Sequence, residues 1–348
     1  VEGYIGNYRT TLEVRGPAGE SGEVRVEHGI IIVATGAEES RPKEYRYGKD
    51  ERVITQVELE KLMQDPEAHK LGRLKNVVMI QCVGSRDDEH PYCSRVCCQD
   101  AVKNALRLRE LNPRVNIYVL YRDMRTYGFF EEYYRTARDS GVMFVRYDEE
   151  RKPVVETDQD KLKVKMRDPV LDADVVVNPD LVVLAPAIVP HEDAVDISRM
   201  LKVPLNENNF FLEAHVKLRP VDFSTEGVFL AGMAHSPKNI PEAIAQAKAA
   251  AARAGTILSR DSYEAGATTS VVDEDICAGC GLCVATCPYN APELVERTDR
   301  MVSHVNEALC KGCGNCAAVC PSGAISHLGF RSRQTEVMLG AALRASRS

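Results

Sequence analysis

The stretch "KNVVMIQCVGSRDDEHPYCSRVCCQDAVKNALRLREL" (residues 75–111) decides the fold of this 348-residue chain. Its opening apolar run, Lys75–Gln81, predicts a buried strand, and Gln99–Leu111 has the spacing of an amphipathic helix. A nucleotide-binding βαβ unit would place a glycine-rich turn between two such elements. Four of the chain's twelve cysteines stand there instead. The stretch therefore predicts an α/β domain whose strand-to-helix loop carries thiols where a phosphate-binding turn is expected.

The composition is that of an ordinary soluble globular protein long enough for two or three domains, with 44% hydrophobic and 27% charged residues. The net charge of −7 disfavours nucleic acid as a partner, because nucleic-acid-binding domains are basic. No apolar run approaches the roughly 20 residues of a membrane span, and no secretory signal is visible. With cysteine spacings typical of metal ligation, these features predict a reducing, cytoplasmic location.

Predicted strands and helices alternate through most of the chain, which indicates βαβ units and a parallel sheet. Apolar or alternating runs predict strands at residues 11–15, 24–26, 30–34, 75–81, 115–123, 142–148 and 179–190 and from residue 227, with a hairpin over residues 153–168. Helical spacing predicts helices at residues 53–64, 99–111 and 129–141, and a long Ala-rich helix from about Pro241. The basic tail is mildly amphipathic and is typical of either a frayed surface helix or a docking helix.

Two motifs near the C-terminus share the spacing C-x₂-C-x₂-C-x₃-C-P. They are "CAGCGLCVATCP" (residues 277–288) and "CKGCGNCAAVCP" (residues 310–321), 33 residues apart. In two-cluster ferredoxins with this spacing, the fourth cysteine of each motif ligates the other cluster. We therefore predict two 4Fe–4S clusters, one held by Cys277, Cys280, Cys283 and Cys320 and the other by Cys310, Cys313, Cys316 and Cys287. The alternatives, zinc or disulfides, are disfavoured by two complete motifs with proline after each fourth cysteine.

Two further segments resemble the flavin-contacting segments of flavin-disulfide-reductase-type proteins. They are "IIIVATGA" (residues 30–37) and "TEGVFLAGMA" (residues 225–234), each a strand that ends in a glycine turn. In that fold an Asp usually follows the final glycine and holds the ribityl hydroxyls, and Met233 stands in its place here. Backbone amides in this turn and at the start of the next helix would still suit the anionic pyrophosphate or the N1–C2=O edge of a flavin. The resemblance predicts FAD-binding residues at Thr35, Gly36, Gly232, Met233, Ile240, Pro241 and Gln246.

The usual first G-x-G-x-x-G of such folds is absent. "GPAGESG" (residues 16–22) is a glycine cluster, but it lies in a predicted hairpin and precedes no helix, so we reject it as a phosphate loop. A sheet of the same kind that binds no flavin is the alternative at this point. The expectation is that the chain is either a fragment or one half of a split flavin site.

The spacing C-x₁₀-C-x₃-C-C in the opening stretch is not a recognised zinc pattern. Bulk, thiols and loop length all oppose a pyridine nucleotide there. From the residues alone, three interpretations of these four cysteines stay open. In decreasing order of preference they are an iron–sulfur cluster, packed or redox-active thiols, and zinc.

"QCVGSRDD", "YCSRVCCQDAVKNAL" and "GVFLAGMAHSPKNIPEAIAQAKAAAARA", together with the double cysteine motif, resemble the flavin-bearing A subunits of heterodisulfide reductase and its relatives. The resemblance implies thioredoxin-reductase-like FAD/NAD(P)-type doubly wound domains followed by a C-terminal α+β two-cluster ferredoxin domain. It implies a third 4Fe–4S cluster near the flavin, and it places Lys103 close to the isoalloxazine ring. The implied cluster ligands are Cys82, Cys93, Cys97 and Cys98. From the residues alone, Lys103 is equally well a solvated lysine on a helix.

The resemblance also divides the chain into regions. Residues 1–72 are an incomplete part of the FAD-binding domain, residues 73–190 an NAD(P)-domain-like module with a cluster, and residues 191–262 a return to the FAD-binding domain. Residues 263–330 form the ferredoxin domain, and residues 331–348 the tail. Many relatives insert a further ferredoxin module before the strand that corresponds to "IIIVATGA" (residues 30–37). We expect this module to be missing here, as well as the N-terminal flavin-binding half of the relatives.

The implied function is that of an oxidoreductase subunit that passes electrons, with or without bifurcation, between FAD, the Cys82 cluster and the two ferredoxin-type clusters. Its implied partners are other subunits of such a complex, with a hydrogenase, a formate dehydrogenase or a ferredoxin-linked donor, as in methanogenesis and other anaerobic metabolism. Two alternatives stay open: a polyferredoxin-like wiring subunit with a vestigial flavin fold, and a thiol/disulfide oxidoreductase that uses Cys97 or Cys98. His191, His215 and His235 are predicted to be loop or surface residues without ligand-like partners.

Overall fold

The computed structural model describes residues 1–16, 21–262, 268–297, 300–307, 309–329 and 331–345. These residues form two compact units, which we describe separately. The central unit is Ile32–Arg253, and the second unit combines Val1–Ile31 with Ala254–Ser348. The turn of the first predicted hairpin lies partly outside the described residues, as does part of the link before the ferredoxin motifs.

The elements are numbered in chain order. The strands are β1 (Glu2–Tyr4), β2 (Asn7–Arg15), β3 (Ser21–His28), β4 (Ile31–Val33), β5 (Ala37–Glu39), β6 (Val53–Thr55), β7 (Asn76–Val83), β8 (Asn116–Tyr121), β9 (Met143–Arg146), β10 (Val154–Asp158), β11 (Lys161–Asp168), β12 (Ala173–Val177), β13 (Leu181–Pro186), β14 (Ile188–Pro190), β15 (Val228–Leu230), β16 (Ser270–Val272), β17 (Pro292–Glu296), β18 (Met301–Val305) and β19 (Ile325–His327). The helices are α1 (Gln56–Leu62), α2 (Cys97–Leu111), α3 (Phe130–Asp139), α4 (Ala194–Leu201), α5 (Ile240–Leu258), α6 (Leu282–Thr286), α7 (Asn315–Ala318) and α8 (Ser332–Ala345).

A parallel sheet with strand order β6-β13-β7-β8-β9 organises the central unit, in keeping with the predicted alternation of strands and helices. Strand β7 lies inside this sheet and is buried on both faces. Val77 and Met79 pack into a core shared with α2 and α3, whereas Val78 and Ile80 pack against β10-β11-β12. Successive side chains of a strand point to opposite faces, so β7 joins two cores. Full burial of each such side chain is worth about 1.5–3 kcal/mol.

The helix predicted over residues 53–64 begins later than expected. Val53 and Ile54 instead pair with β13 as a parallel edge strand, because β-branched side chains pack well on a sheet. Thr55 then caps α1: its Oγ1 accepts a hydrogen bond from the Glu58 amide at 3.3 Å, and Glu58 Oε2 accepts one from the Thr55 amide at 2.7 Å. This reciprocal pair is a capping box.

The strand predicted as buried at residues 30–34 is only half buried. It forms β4, which pairs with β15, and the Ala231 amide donates to the Val33 carbonyl at 3.0 Å. Val33 is buried, but Ile32 is 41% exposed, because only one face of this short ladder is covered. The tight turn expected after it is present at Gly36, whose φ is +80°.

The second unit contains an antiparallel sheet, β1-β2-β3, and the cysteine motifs. Strands β16 and β19 pair antiparallel, as do β17 and β18. The short helices α6 and α7 each begin inside one cysteine motif. The tail forms helix α8, on which Val337, Met338 and Leu343 are exposed. In the described part of the chain, no helix combines the length and apolar character needed to cross a membrane.

We expect Thr55→Ala to destabilise the central unit by about 0.5–2 kcal/mol, because the variant loses a helix cap. Urea unfolding followed by circular dichroism measures this change. Thr136→Ala, at an exposed position of α3, is the matched control and should stay within about 0.5 kcal/mol of the wild type. Equal effects of the two substitutions would contradict a capping role for Thr55.

Candidate cofactor sites

The two C-terminal cysteine motifs fold in the same way. Helices α6 and α7 each follow a glycine with left-handed backbone, Gly281 at φ +74° and Gly314 at φ +79°. Gly279 and Gly312, with φ of +64°, approach other backbone even more closely. A Cβ atom on either would lie 2.4 Å from a carbonyl oxygen, that of Met301 or of Thr268. Both loops therefore require glycine to bring their cysteines together.

Each motif contributes cysteines to two small cavities. Cys277, Cys280, Cys283 and Cys320 line one of them. Cys287, Cys310, Cys313 and Cys316 line the other. The structure thus brings together the same two crossed sets of four that the spacing predicts. Their role as cluster ligands stays a prediction.

Within the described residues, no group of three or more His, Cys, Asp or Glu side chains is arranged to hold a single metal ion. The ligands of a cubane cluster bind different iron atoms and do not converge on one point. Two thiol-lined cavities built on tight glycine loops fit that requirement.

The opening stretch brings its four cysteines to one edge of the parallel sheet. Cys82 lies at the carboxyl end of β7 with a left-handed φ of +60°, and Cys97 and Cys98 start α2. Burial raises the pKa of the Cys82 thiol to about 11, and the negative charges of Cys98 and Cys93 add to this shift. The same thiols contribute to the raised pKa of Cys97. The four sulfur atoms are therefore close enough to interact electrostatically.

Hydrogen-bond donors and positive charge surround these thiols. The Arg95 amide donates to Cys93 Sγ at 3.3 Å. The Arg86 guanidinium interacts with Cys82 and forms an ion pair with Asp123 at 2.8 Å. A hydrogen bond from Cys97 lowers the pKa of Cys98 to about 7, and the backbone amide of Arg125 adds to this effect. Such surroundings suit thiolate ligands of a cluster.

Burial bears on the alternative in which Cys97 or Cys98 attacks a disulfide. Cys97 is 7% exposed and Cys98 is 2% exposed. A thiol that exchanges with a disulfide must be reached by the partner sulfur. The positions of these two side chains therefore disfavour a thiol/disulfide oxidoreductase.

A cavity of about 670 Å³ lies beside the start of α2 in the central unit. Three of the residues predicted near a flavin line it, namely Lys103, Met233 and Ile240. The rest of the lining combines apolar or aromatic side chains with polar and charged ones. The first group is Val96, Val102, Leu106, Phe130, Tyr133 and Ile188, and the second is Gln99, Asp100, Arg107, Glu110, Thr126, Lys238 and Asn239. The size matches that of small-molecule cavities in proteins, and the lining supplies both the apolar surface and the polar groups that such cavities use.

The other five predicted flavin residues do not line this cavity. Gly232 and Pro241 neighbour the lining residues Met233 and Ile240 in the sequence. Gln246 lies further along α5 and donates to His235 Nδ1 at 3.1 Å. Thr35 and Gly36 follow β4. Flavin binding by these residues stays a prediction.

Lys103 lines the cavity with its charge already paired. Its Nζ lies 2.6 Å from Glu60 Oε1 and 3.6 Å from Asp100 Oδ1. The side chain is half exposed, so these ion pairs contribute little to stability. Their effect is to hold the ammonium group on the α2 side of the cavity.

Sequence reasoning missed Lys238, which also lines the cavity and is only 8% exposed. Its Nζ donates to the Gly232 carbonyl at 2.8 Å and lies 3.2 Å from His235 Nδ1. His235 Nε2 in turn lies 2.8 Å from Glu213 Oε2. Burial lowers the pKa of Lys238 to about 8, and the nearby charge of Arg95 adds to this effect.

The predictions for the three histidines are partly wrong. His215 is exposed, as expected. His191 is partly exposed but has carboxylate partners, Glu38 and Asp193, each at 3.1 Å. His235 is a loop residue, yet Glu213 is its partner. Asp193 is a sequence neighbour of His191 that the prediction overlooked, whereas Glu38 and Glu213 reach the histidines through tertiary packing, which spacing along the chain does not reveal.

Comparison with known proteins agrees with this picture. Residues 270–327 match the protein-family model described as a 4Fe-4S dicluster domain, so the C-terminal module is of the two-cluster iron–sulfur class. The chain is 43% identical over 297 residues to the second iron-sulfur A subunit of CoB--CoM heterodisulfide reductase from Methanopyrus kandleri, covering 80% of this chain and 45% of that protein. It is 38% identical over 343 residues to the A subunit of H(2)/formate:CoB-CoM heterodisulfide,ferredoxin reductase from Methanococcus maripaludis, covering 93% and 52%.

The chain belongs to the family of heterodisulfide reductase A subunits. It spans about half the length of the curated relatives that it matches. Among solved structures, thioredoxin reductase of T. acidophilum is similar with a TM-score of 0.43 and 14% identity, over 72% of each chain.

We expect Gly279→Ala to disrupt the first cysteine motif, because the new Cβ would lie 2.4 Å from the Met301 carbonyl oxygen. Iron analysis of protein purified without oxygen should show a loss of about four to eight irons, the content of one or both 4Fe–4S clusters of the module, because the two motifs share ligands. Gly72→Ala, where nothing lies within 4 Å of the new Cβ, is the control and should retain the wild-type iron content. Full iron retention in Gly279→Ala would contradict a steric requirement.

The lowered pKa of Lys238 predicts a pH dependence of stability. Between pH 8 and about 10.4, the unfolded chain keeps a proton on this lysine that the folded chain has released. The free energy of unfolding should therefore gain a component that rises with pH across this window, and Lys238→Met should remove it. Anaerobic urea unfolding at pH 8 and pH 9.5 measures the difference. Lys248→Met, at an exposed position of α5, should keep the wild-type dependence.

Proposed function

We propose that this chain is the flavin and iron–sulfur electron-transfer part of a heterodisulfide-reductase-like oxidoreductase complex. The observation that carries the proposal is the position of the 670 Å³ cavity at the start of α2. Val96, Gln99 and Asp100 line the cavity, and Cys97 and Cys98 stand between them in the sequence. A flavin bound there would lie within one helical turn of two proposed cluster ligands.

The cavity has the chemistry that a flavin ring requires. FAD, when bound, supplies the conversion between two-electron and one-electron transfer. Apolar side chains such as Met233 and Phe130 would exclude water from the ring. Lys103, Arg107 and Lys238 line the cavity together with Asp100 and Glu110. Positive groups outnumber negative ones by one in this lining, which favours a group that gains negative charge on reduction.

Cys82, Cys93, Cys97 and Cys98 are proposed to hold a 4Fe–4S cluster that exchanges electrons with the flavin. The Arg86 side chain and the Arg95 amide would stabilise the sulfur charge of that cluster. The C-terminal pair of clusters would pass electrons to or from a partner. Bifurcation, in which a flavin sends its two electrons to acceptors of different potential, is the finer form of this proposal.

The proposed partners are other subunits of such a complex. The names of the relatives from Methanococcus maripaludis and Methanothermobacter marburgensis mention dihydrogen, formate or ferredoxin as well as the CoB–CoM heterodisulfide. A hydrogenase, a formate dehydrogenase or a ferredoxin-linked donor would supply electrons of this kind. Reduction of the terminal substrate is assigned to a partner subunit.

The iron and flavin contents of the anaerobically purified chain test the proposal. We expect about twelve irons and one FAD, because three 4Fe–4S clusters and one flavin are proposed. Cys82→Ala and Cys93→Ala should each lose about four irons and keep the dicluster signal in electron paramagnetic resonance spectra. Cys277→Ala is the matched control and should lose iron from the C-terminal module instead. About eight irons in the wild type, unchanged in Cys82→Ala, would show that the loop holds no cluster.

A second arm tests the flavin cavity separately. Met233→Glu would place a carboxylate in the cavity, so we expect weaker retention of FAD, measured by flavin fluorescence after desalting. Met200→Glu, at a 53% exposed position, is the control and should bind FAD like the wild type. A chain with eight irons and no flavin would favour the polyferredoxin-like wiring subunit.

A further inference from the structure

Two buried serines repeat with the same period as the cysteine motifs. Ser270 begins β16 and Ser303 lies in β18, 33 residues later. They are 2% and 1% exposed, respectively. Each stands seven residues before the first cysteine of a motif, Cys277 for Ser270 and Cys310 for Ser303.

Each serine contacts the first and third cysteines of one motif, and this is not the motif that begins seven residues after that serine. The Ser303 amide donates to Cys277 Sγ at 3.4 Å, and Ser303 Oγ lies 3.2 Å from Cys283 Sγ. In the other half, the Ser270 amide donates to Cys310 Sγ at 3.4 Å, and Ser270 Oγ lies 3.3 Å from Cys316 Sγ. Corresponding distances differ by no more than 0.1 Å. The contacts are crossed in the same sense as the proposed ligands.

The direction of the side-chain hydrogen bond depends on the state of the sulfur. In the free thiols, Cys283 donates to Ser303 Oγ and Cys316 donates to Ser270 Oγ. A thiolate ligand of iron carries no proton, so in the loaded module only the serine hydroxyl is able to donate. Each serine then offers two donors, an amide and a hydroxyl, to the sulfur atoms of one cluster.

We propose that Ser270 and Ser303 are paired positioning residues that raise the reduction potentials of the two C-terminal clusters by equivalent hydrogen bonds to their cysteine sulfurs. Reduction adds negative charge to a cluster, and donors directed at its sulfurs stabilise the more negative state. Ser303 acts on the cluster of Cys277 and Cys283, and Ser270 on that of Cys310 and Cys316. Equal stabilisation keeps the two potentials close, so an electron crosses the module in either direction without a large loss of driving force.

This inference deepens the proposed function, because it rests on the crossed assignment of the cysteines to two clusters. It is independent of the flavin and of the Cys82 loop. The iron content separates the two kinds of failure. If the C-terminal module holds fewer than two clusters, the ligand assignment fails, whereas a full complement with unmoved potentials overturns the role of the serines alone.

The test is a redox titration of the full chain, followed by electron paramagnetic resonance, for Ser303→Ala, Ser270→Ala and the double variant. Each single variant should lower the reduction potential of one cluster and leave the potential of the other cluster unchanged. The double variant should lower both potentials. At a fixed applied potential near the midpoint, the reduced-to-oxidised ratio of the affected cluster should fall about tenfold, the size of one charge-assisted hydrogen bond. Each single variant is the control for the other. Unmoved potentials, or a shift of both clusters in one single variant, would overturn the proposal.

Two further measurements distinguish a purely structural role of the serines from a hydrogen bond to the cluster sulfurs. Ser303→Thr and Ser270→Thr keep the hydroxyl and should restore the wild-type potential, whereas rescue would fail if the serines only filled space. In D₂O, deuterium electron–nuclear double resonance should detect one fewer exchangeable deuteron per cluster in the alanine variants. If alanine lowers the iron content, the same measurement on the wild type and the threonine variants still tests the proposal. The absence of any hydroxyl deuteron coupled to a cluster would then overturn it.

Discussion

Strand β7 has no face in contact with water, and the chemistry of the central unit depends on this constraint. Val77 and Met79 pack against helices and Val78 and Ile80 against a second sheet, all four fully buried. A strand that is anchored on both faces fixes where the chain leaves the sheet. The exit falls at Cys82, and the return at Cys97 starts the helix that borders the cavity. Thiols and cavity are thus positioned by the same packing.

Cysteine sulfurs lie beside hydrogen-bonding groups in both units. In the loop after β7, burial opposes ionisation of Cys82 and the Arg86 side chain favours it. Backbone amides act on its neighbours: the Arg95 amide donates to Cys93 Sγ, and that of Arg125 favours ionisation of Cys98. In the C-terminal module neutral groups contact the sulfurs, because the amides of Ser270 and Ser303 donate to cysteines and their hydroxyls accept from cysteines. Lys311 also lines the cavity of Cys310, Cys313 and Cys316, so positively charged side chains lie near cysteines in both units.

Much of the fold was predictable because it follows local patterns. Long apolar runs predicted the parallel strands, and cysteine spacing predicted the two crossed sets in the C-terminal module. The start of α1 was missed because the helical spacing of residues 53–64 includes Val53 and Ile54, whereas their β-branched side chains and their pairing with β13 favour a strand. Of the cavity, Lys103, Met233 and Ile240 were predicted through resemblance. Lys238 was not, because a lysine in a polar loop is ordinarily exposed and its burial comes from tertiary packing.

The crossing of the cysteine motifs bears on how the C-terminal module is assembled. Each small cavity takes its fourth cysteine from the other motif, so neither is complete until both halves of the module have folded. On the proposed ligand assignment, iron delivery should therefore be cooperative, because a chain that acquires one cluster has already brought together the ligands of the second. Under iron limitation, a cell would hold a mixture of empty and filled modules, with few half-filled ones. Limited iron would then lower the number of filled modules, while each filled module would still hold both clusters.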